Sequence, residues 1–188
     1  MRVVGGSLRG RSLKSPPGRK LRPTSDRIRE SIFDLLGPGP PGAKVLDLFA
    51  GTGALGIEAL SRGCQLGVFV EQDRTALGLI RDNLTACELS DRARVEVRDV
   101  FQFLQRLHAA APFDLVLLDP PYRQDLALRA LQQLAADHWT SQQGVVVCEA
   151  EKELELPDQI GGLTRTKHKH YGDTSVHVYV VDNSTTDG

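Results

Sequence analysis

No run of about 18 apolar residues occurs in this 188-residue chain, so a membrane-spanning helix is not expected. Cysteine is scarce. The three present, Cys64, Cys87 and Cys148, are odd in number and far apart, which argues against a disulfide framework or a zinc cluster. They read as small buried residues of a protein kept in a reducing compartment, the cytoplasm. The opening residues, Met1 to Ser7, lack an apolar h-region, so no signal peptide is expected. Internal repeats are missing as well, which leaves out solenoids and propellers. What remains is an ordinary globular composition, 40% hydrophobic and 25% charged. A chain of this length buries roughly 70% of its unfolded surface, enough for one real core.

The net charge of −1 conceals a bias. Residues 1 to 30 carry nine Arg or Lys and two acids, a net of +7, and the remainder therefore carries −8. A basic segment on an acidic body suggests a polyanionic partner. Within it, Arg9, Arg11 and Lys14 are expected to contact nucleic-acid phosphates.

The chain divides into an N-terminal extension (1–37), a body (43–181) and a polar tail (182–188) expected to be disordered. Val3 to Leu13, interrupted by Gly5-Gly6 and Gly10, reads as a short hairpin. Ile28, Ile32, Leu35 and Leu36 lie on one face of a helix over 25–36, and Gly37-Pro-Gly-Pro-Pro-Gly ends it. The body alternates strand and helix signals. Strands are expected at 44–49, 67–71, 94–98, 114–118 and 144–149, with helices at 54–61, 74–87, 100–109 and 126–137. Strands such as Val-Leu-Asp-Leu-Phe are apolar on both faces, as parallel strands covered by helices should be. Short joints between them give a doubly wound α/β sheet. Strand-like runs at 163–169 and 175–181, joined through Tyr171-Gly-Asp, add an antiparallel C-terminal hairpin.

Directly after the first expected strand comes Gly51-Thr-Gly53-Ala-Leu-Gly56, a G-x-G-x-x-G that opens a helix, with Glu71 20 residues beyond Gly51. This is the pattern of an adenosine-cofactor site: glycines for a tight turn and close approach, an acid for ribose hydroxyls. Asp47 separates the candidates. A carboxylate there would face like charge in a pyrophosphate site, but suits a cofactor carrying a sulfonium and an ammonium. That is S-adenosylmethionine. Asp99 can accept from the adenine amine and also cap the following helix, while Val100 and Phe101 can line the ring.

The fourth expected strand ends in Asp119-Pro120-Pro121-Tyr122. Ligands of open α/β sheets gather beyond the carboxyl ends of the strands. The prolines fix φ and remove two N–H donors. They leave rigid carbonyl acceptors beside the Asp119 carboxylate. Acceptors alone suit a donor-only partner, an exocyclic NH2. Such an amine is a poor nucleophile, because its lone pair conjugates into the base. Accepting its N–H groups aims that lone pair and stabilises the charge that develops on nitrogen. Tyr122 offers a face for stacking the base.

The Asp-Pro-Pro-Tyr set resembles the signature of amino-group methyltransferases acting on nucleic-acid bases. Together with Arg2-Val-Val-Gly-Gly, Arg22-Pro-Thr-Ser-Asp-Arg-Ile-Arg-Glu-Ser-Ile-Phe, the Asp47 to Gly56 loop and Tyr171-Gly-Asp-Thr, it resembles the bacterial 16S ribosomal RNA guanine-N2 methyltransferase family. The likeness runs from residue 2 to about 181. It implies a class I (Rossmann-like) methyltransferase fold with a mostly parallel seven-stranded sheet. It also implies S-adenosylmethionine as donor and a guanine N2 of small-subunit rRNA as acceptor, in a partly or fully assembled subunit. Carried over, Asp47, Phe49, Ala50, Gly51, Thr52 and Gly53 are its cofactor loop and Glu71 its ribose acid, followed by Gln72. Asp119, Pro120, Pro121 and Tyr122 are its catalytic loop. Arg22 is expected near the active site, and Arg123 at a phosphate. A monomer without metal is expected.

Two other classes share parts of the pattern. The same loop would hold the N6 amine of a DNA adenine, although no target-recognition domain is visible. A non-catalytic assembly factor could keep the fold, but the intact Asp47 and Asp119 speak against it. His168 and His170 alternate with Lys167 and Lys169 and lack metal-site partners, so they read as a solvated or RNA-facing strand. Trp139 reads as packing.

Overall fold

A computed structural model describes residues 1–16, 25–37, 42–106, 108–122 and 125–182. Its centre is one eight-stranded sheet. The strands are β1 (Lys44–Leu48), β2 (Leu66–Glu71), β3 (Ala93–Val97), β4 (Phe113–Leu118), β5 (Thr140–Glu151), β6 (Gln159–Ile160), β7 (Leu163–Tyr171) and β8 (Thr174–Val181). Their order is β3-β2-β1-β4-β5-β8-β7-β6. The first five pair in parallel and the last three antiparallel. Seven strands match the expectation. The eighth, β6, is two residues long, too short to leave a periodic signal in sequence.

Among the described residues, five α-helices cover the sheet: α1 (Asp26–Leu36), α2 (Ala54–Ser61), α3 (Arg74–Ala86), α4 (Val100–Leu104) and α5 (Leu126–Ala136). The first three share a core with Val45, Phe69, Leu117 and Val178. The last two share the opposite core with Leu46, Val68, Val116 and Trp139. Neighbouring residues of one strand thus enter different cores, which is why β1 and β4 are apolar on both faces. Trp139 is fully buried, its ring nearly parallel to that of Phe113.

The N-terminal residues are built into this body. Val3 and Leu13 belong to the α1–α3 core. The expected hairpin is present in short form: the Arg2–Ser12 bridge is flanked by backbone hydrogen bonds from the Val3 N–H to Arg11 and from the Leu13 N–H to Met1, and the Gly10 N–H donates to Val3, around a 3₁₀ turn at Gly6–Leu8. Inside it, the Val4 and Leu8 N–H groups donate to the Glu58 and Ser61 side chains of α2. A Cβ on Gly6, at φ +72°, would lie 2.1 Å from the Ser61 carbonyl, so only glycine lets the segment come so close. All eight residues of α2 are buried, and the side that meets this segment carries its two polar residues, Glu58 and Ser61.

Two further elements differ from expectation. Helix α4 stops at Leu104 rather than continuing to 109. The chain leaves it to stack His108 on Phe103, and the His108 ring nitrogen then accepts the Ala110 N–H. Strand β1 stops at Leu48 because Phe49 turns the chain at φ +59°.

Candidate active site

Strand order reverses between β1 and β4, and the loops at their carboxyl ends open on the crevice where such sheets bind ligands. Asp47, at the end of β1, is buried and points towards α2. Its Oδ2 accepts the Gly56 N–H at 2.9 Å. Gly56 must be glycine: a Cβ there would lie 2.4 Å from the Phe69 ring and 2.9 Å from that same carboxylate oxygen. Burial pushes the Asp47 carboxyl well above the usual carboxylate range. The Gly56 hydrogen bond pulls it down, and the negative charges of Asp119 and Glu71 push it up again. Three carboxylates therefore share the crevice.

Glu71 ends β2 and fixes two loops at once. One oxygen accepts the Gly51 N–H at 2.8 Å; the other accepts those of Gln72 and Asp73, both at 2.8 Å. Asp99 caps α4 by accepting from Phe101 and Gln102. Val100 and Phe101 are buried, and Phe101 meets Phe49 edge-on with ring centroids 6.2 Å apart. A non-glycine residue at positive φ is uncommon and costs conformational energy, so the Phe49 turn marks a place the surroundings dictate. Thr52 is buried and Ala50 closes the turn through its carbonyl to the Gly53 N–H.

Asp119 follows directly on Leu118, which pairs with Leu48 of β1 on one side and Cys148 of β5 on the other. Its charge reaches both Asp47 and Cys148. Pro120 is buried, Pro121 exposed and Tyr122 half-buried. Asp47, Phe49 to Gly53, Glu71, Gln72, Asp99 to Phe101 and Asp119 to Tyr122 are thus gathered at one edge of the sheet. Arg22 and Arg123 lie outside the described residues. Arg11 and Lys14 sit elsewhere, against α3, paired with Glu88 at 3.2 Å and Asp82 at 2.8 Å; Arg9 is exposed.

Several residues of consequence escape sequence reasoning. Asn83, fully buried on α3, donates to the Thr52 carbonyl at 3.0 Å and exchanges two hydrogen bonds with the Lys14 backbone. It fastens the N-terminal segment to the glycine loop. Its only signal is a polar residue on the apolar stripe of Ile80 and Leu84. Arg129 of α5 lies 3.8 Å over the Phe101 ring. His168 is partly exposed and stacks on the buried His177 with ring centroids 4.2 Å apart, while His170 stays exposed. Among the described residues no group of three metal-ligating side chains forms, and no helix is long and apolar enough to cross a membrane.

Sheet order, the antiparallel strand inserted beside β5, and an acid-rich crevice at the β1/β4 switch define a class I methyltransferase fold. The chain belongs to the family described as conserved hypothetical protein 95, whose model matches residues 1–180. YlbH of Bacillus subtilis is 43% identical over 184 residues, covering 95% of this chain and 98% of that protein. Ribosomal RNA small subunit methyltransferase D of Escherichia coli K12 is 34% identical over 179 residues, covering 95% and 89%. The solved structure of Thermus thermophilus protein TTHA0928 is 33% identical and superposes with a TM-score of 0.83 over 96% of this chain and 99% of that one. The same fold, at 16% identity and a TM-score of 0.65, recurs in an RNA methyltransferase from Salinibacter ruber in complex with S-adenosyl-L-homocysteine, over 89% and 98%.

Proposed function

We propose that this chain transfers a methyl group from S-adenosylmethionine to the exocyclic N2 of a guanine in 16S rRNA of the small ribosomal subunit, in the cytoplasm. The observation that carries this reading is the carboxylate trio of Asp47, Glu71 and Asp119 around the switch point, beside a loop without N–H donors at Pro120 and Pro121. The negative crevice fits a cationic cofactor, and the acceptor loop fits an amine. The relative from E. coli, whose name specifies small-subunit rRNA, supports the choice of substrate.

The cofactor supplies an electrophilic methyl on a sulfonium. The protein's part is placement and charge. Glu71 accepts from the ribose hydroxyls while keeping the glycine loop closed through Gly51. Gln72, Phe49, Val100 and Phe101 border the adenosine, and Asp99 accepts from its amine while capping α4. Asp47 faces the positive end. Asp119 and the Pro120 carbonyl accept the two N–H bonds of the guanine amine, which turns its lone pair towards the methyl. As nitrogen gains positive charge, Asp119 stabilises it at fixed distance and takes up the departing proton. Tyr122 supports the face of the base. An extruded base is required, because the amine cannot reach this edge from within a stacked helix.

Incubation with methyl-labelled S-adenosylmethionine and, in parallel, naked 16S rRNA, small subunits or duplex DNA tests the reading. Label in small-subunit rRNA supports it. Label confined to DNA, or to none of them, removes it.

A further inference from the structure

The Tyr122 hydroxyl lies 2.8 Å from Oγ1 of Thr174, 52 residues away. Thr174 is fully buried and opens β8. It faces Glu151 of β5 on one side and Tyr171 of β7 on the other. The Asp173 carbonyl next to it accepts the Lys152 N–H at 3.1 Å. The tip of the C-terminal hairpin is therefore pinned to the end of β5. Because β8 runs antiparallel to β5, that tip stands at the carboxyl edge of the parallel strands, where Asp119 also stands. A parallel β8 would begin at the opposite edge, out of reach of the loop.

The two prolines stiffen the chain at 120 and 121, but Tyr122 lies beyond them with two side-chain torsions of its own. Together with Pro120, Pro121, Ala150 and Glu151, its ring walls a cavity of about 190 Å³ beside the loop. A ring free to swing could close that cavity or leave the base unsupported. The hydrogen bond between the buried Thr174 hydroxyl and the hydroxyl at the far end of the ring restrains this motion.

We propose that Thr174 is a positioning residue for methyl transfer: its hydroxyl holds the Tyr122 ring in the orientation against which the target base stacks. This rests on the functional reading above. It gives the Tyr171-Gly-Asp-Thr turn a task within the active site. The turn carries Thr174 to a place from which its side chain reaches the catalytic loop.

Thr174→Val keeps the shape and deletes the hydroxyl; Thr174→Ser keeps the hydroxyl; Tyr122→Phe removes the bond from the other side. With small subunits as substrate, Thr174→Val and Tyr122→Phe each lower kcat/KM about threefold to tenfold, the worth of one hydrogen bond. The double variant is no worse than either single one. Thr174→Ser restores most of the rate, and the affinity for S-adenosylmethionine stays within twofold throughout. Wild-type rate in Thr174→Val, additive losses in the double variant, or a serine variant as poor as the valine one overturn the proposal. A second readout does not depend on RNA. The chain has three tyrosines, so carbon-13 labelling of tyrosine resolves the Tyr122 ring by NMR. Its signals shift and broaden in Thr174→Val and recover in Thr174→Ser. Unchanged Tyr122 signals in Thr174→Val overturn the positioning role even if the wild-type protein methylates no rRNA, an outcome that would separately end the functional reading.

Discussion

Glu71 and Gly51 are joined by a hydrogen bond of 2.8 Å, so the acid at the end of β2 holds the glycine loop at the end of β1. The two signals that sequence separates by 20 residues are one structural unit. On the proposed reading, removing the carboxylate loses ribose acceptors, and it also frees the loop that Glu71 holds through Gly51. Glu71→Ala is expected to weaken S-adenosylmethionine binding by about 1.5–3 kcal/mol, the range for hydrogen bonds to a charged group. NAD should not bind. Calorimetry giving unchanged affinity in the variant, or tight NAD binding to the wild type, contradicts the cofactor assignment.

Asp47 is expected to make cofactor binding pH-dependent. Its carboxyl is held well above the ordinary range by burial first and by Asp119 and Glu71 in addition. As pH rises through that raised pKa, the group ionises and gains attraction for a sulfonium. The affinity for S-adenosylmethionine should therefore increase with pH more steeply than that for S-adenosylhomocysteine, which lacks the sulfonium charge. Asp47→Asn should make the two slopes alike. Parallel slopes in the wild type would detach Asp47 from the sulfonium.

His177 is expected to make stability fall in mild acid. The Arg165 guanidinium can only donate, so the His177 Nδ1 it meets at 3.1 Å must accept. Nε2 then carries the proton and donates to the Ser175 hydroxyl at 2.9 Å. Burial, with the charges of His168, Arg165 and His170, lowers the pKa to about 4. The folded pKa lies below the unfolded value of about 6.5. The unfolded chain thus binds the extra proton between those values. The contribution is complete above pH 6.5 and is lost as pH falls towards 4, by up to about 3 kcal/mol. Thermal melts should show Tm falling across this window and a flatter profile for His177→Asn. An identical profile in the variant would assign the acid sensitivity to other groups.

The charge of the N-terminal segment suggests a grip on phosphates, yet among its described basic residues Arg2, Arg11, Lys14 and Arg29 have acidic partners. Arg11 and Lys14 pair with Glu88 and Asp82 on exposed surface, where such pairs contribute only about 0–1 kcal/mol. A phosphate could displace either acid at small cost. Replacing Arg9, Arg11 and Lys14 together by Ala should lower affinity for small subunits and flatten its salt dependence, by a slope of about 0.7–0.9 for each phosphate no longer neutralised. Binding of S-adenosylmethionine should not change. Wild-type affinity throughout a salt titration would make these residues anchors to α3 only.

Periodicity carried most of this fold. Helix α2 has the expected bounds, and α1, α3, α5 and the parallel strands lie within a few residues of theirs. Loop motifs pointed to the candidate site, because turn glycines, strand-end acids and a Pro-Pro pair each act locally. What stayed hidden depends on distant neighbours. The Val3 to Leu13 hairpin is legible, but its anchorage to Glu58 and Ser61 of α2, about 50 residues on, is not. Asn83 keeps its buried place only through Thr52 and Lys14. His177 is one residue in an apolar strand until Arg165 is brought beside it. Thr174 belongs to the Tyr171-Gly-Asp-Thr motif, but its partner Tyr122 becomes visible only once β8 is known to run antiparallel to β5.

The central claim is that Asp119 directs a methyl group onto guanine N2. The most direct test is mass analysis of nucleosides from 16S rRNA after small subunits lacking the modification are incubated with S-adenosylmethionine and either wild-type protein or Asp119→Ala. The account predicts N2-methylguanosine with the wild type. With Asp119→Ala it predicts the same product at a rate reduced about 10²–10³-fold or more, with cofactor affinity largely kept. Methylation at another atom or base, or near-normal turnover by Asp119→Ala, would contradict it.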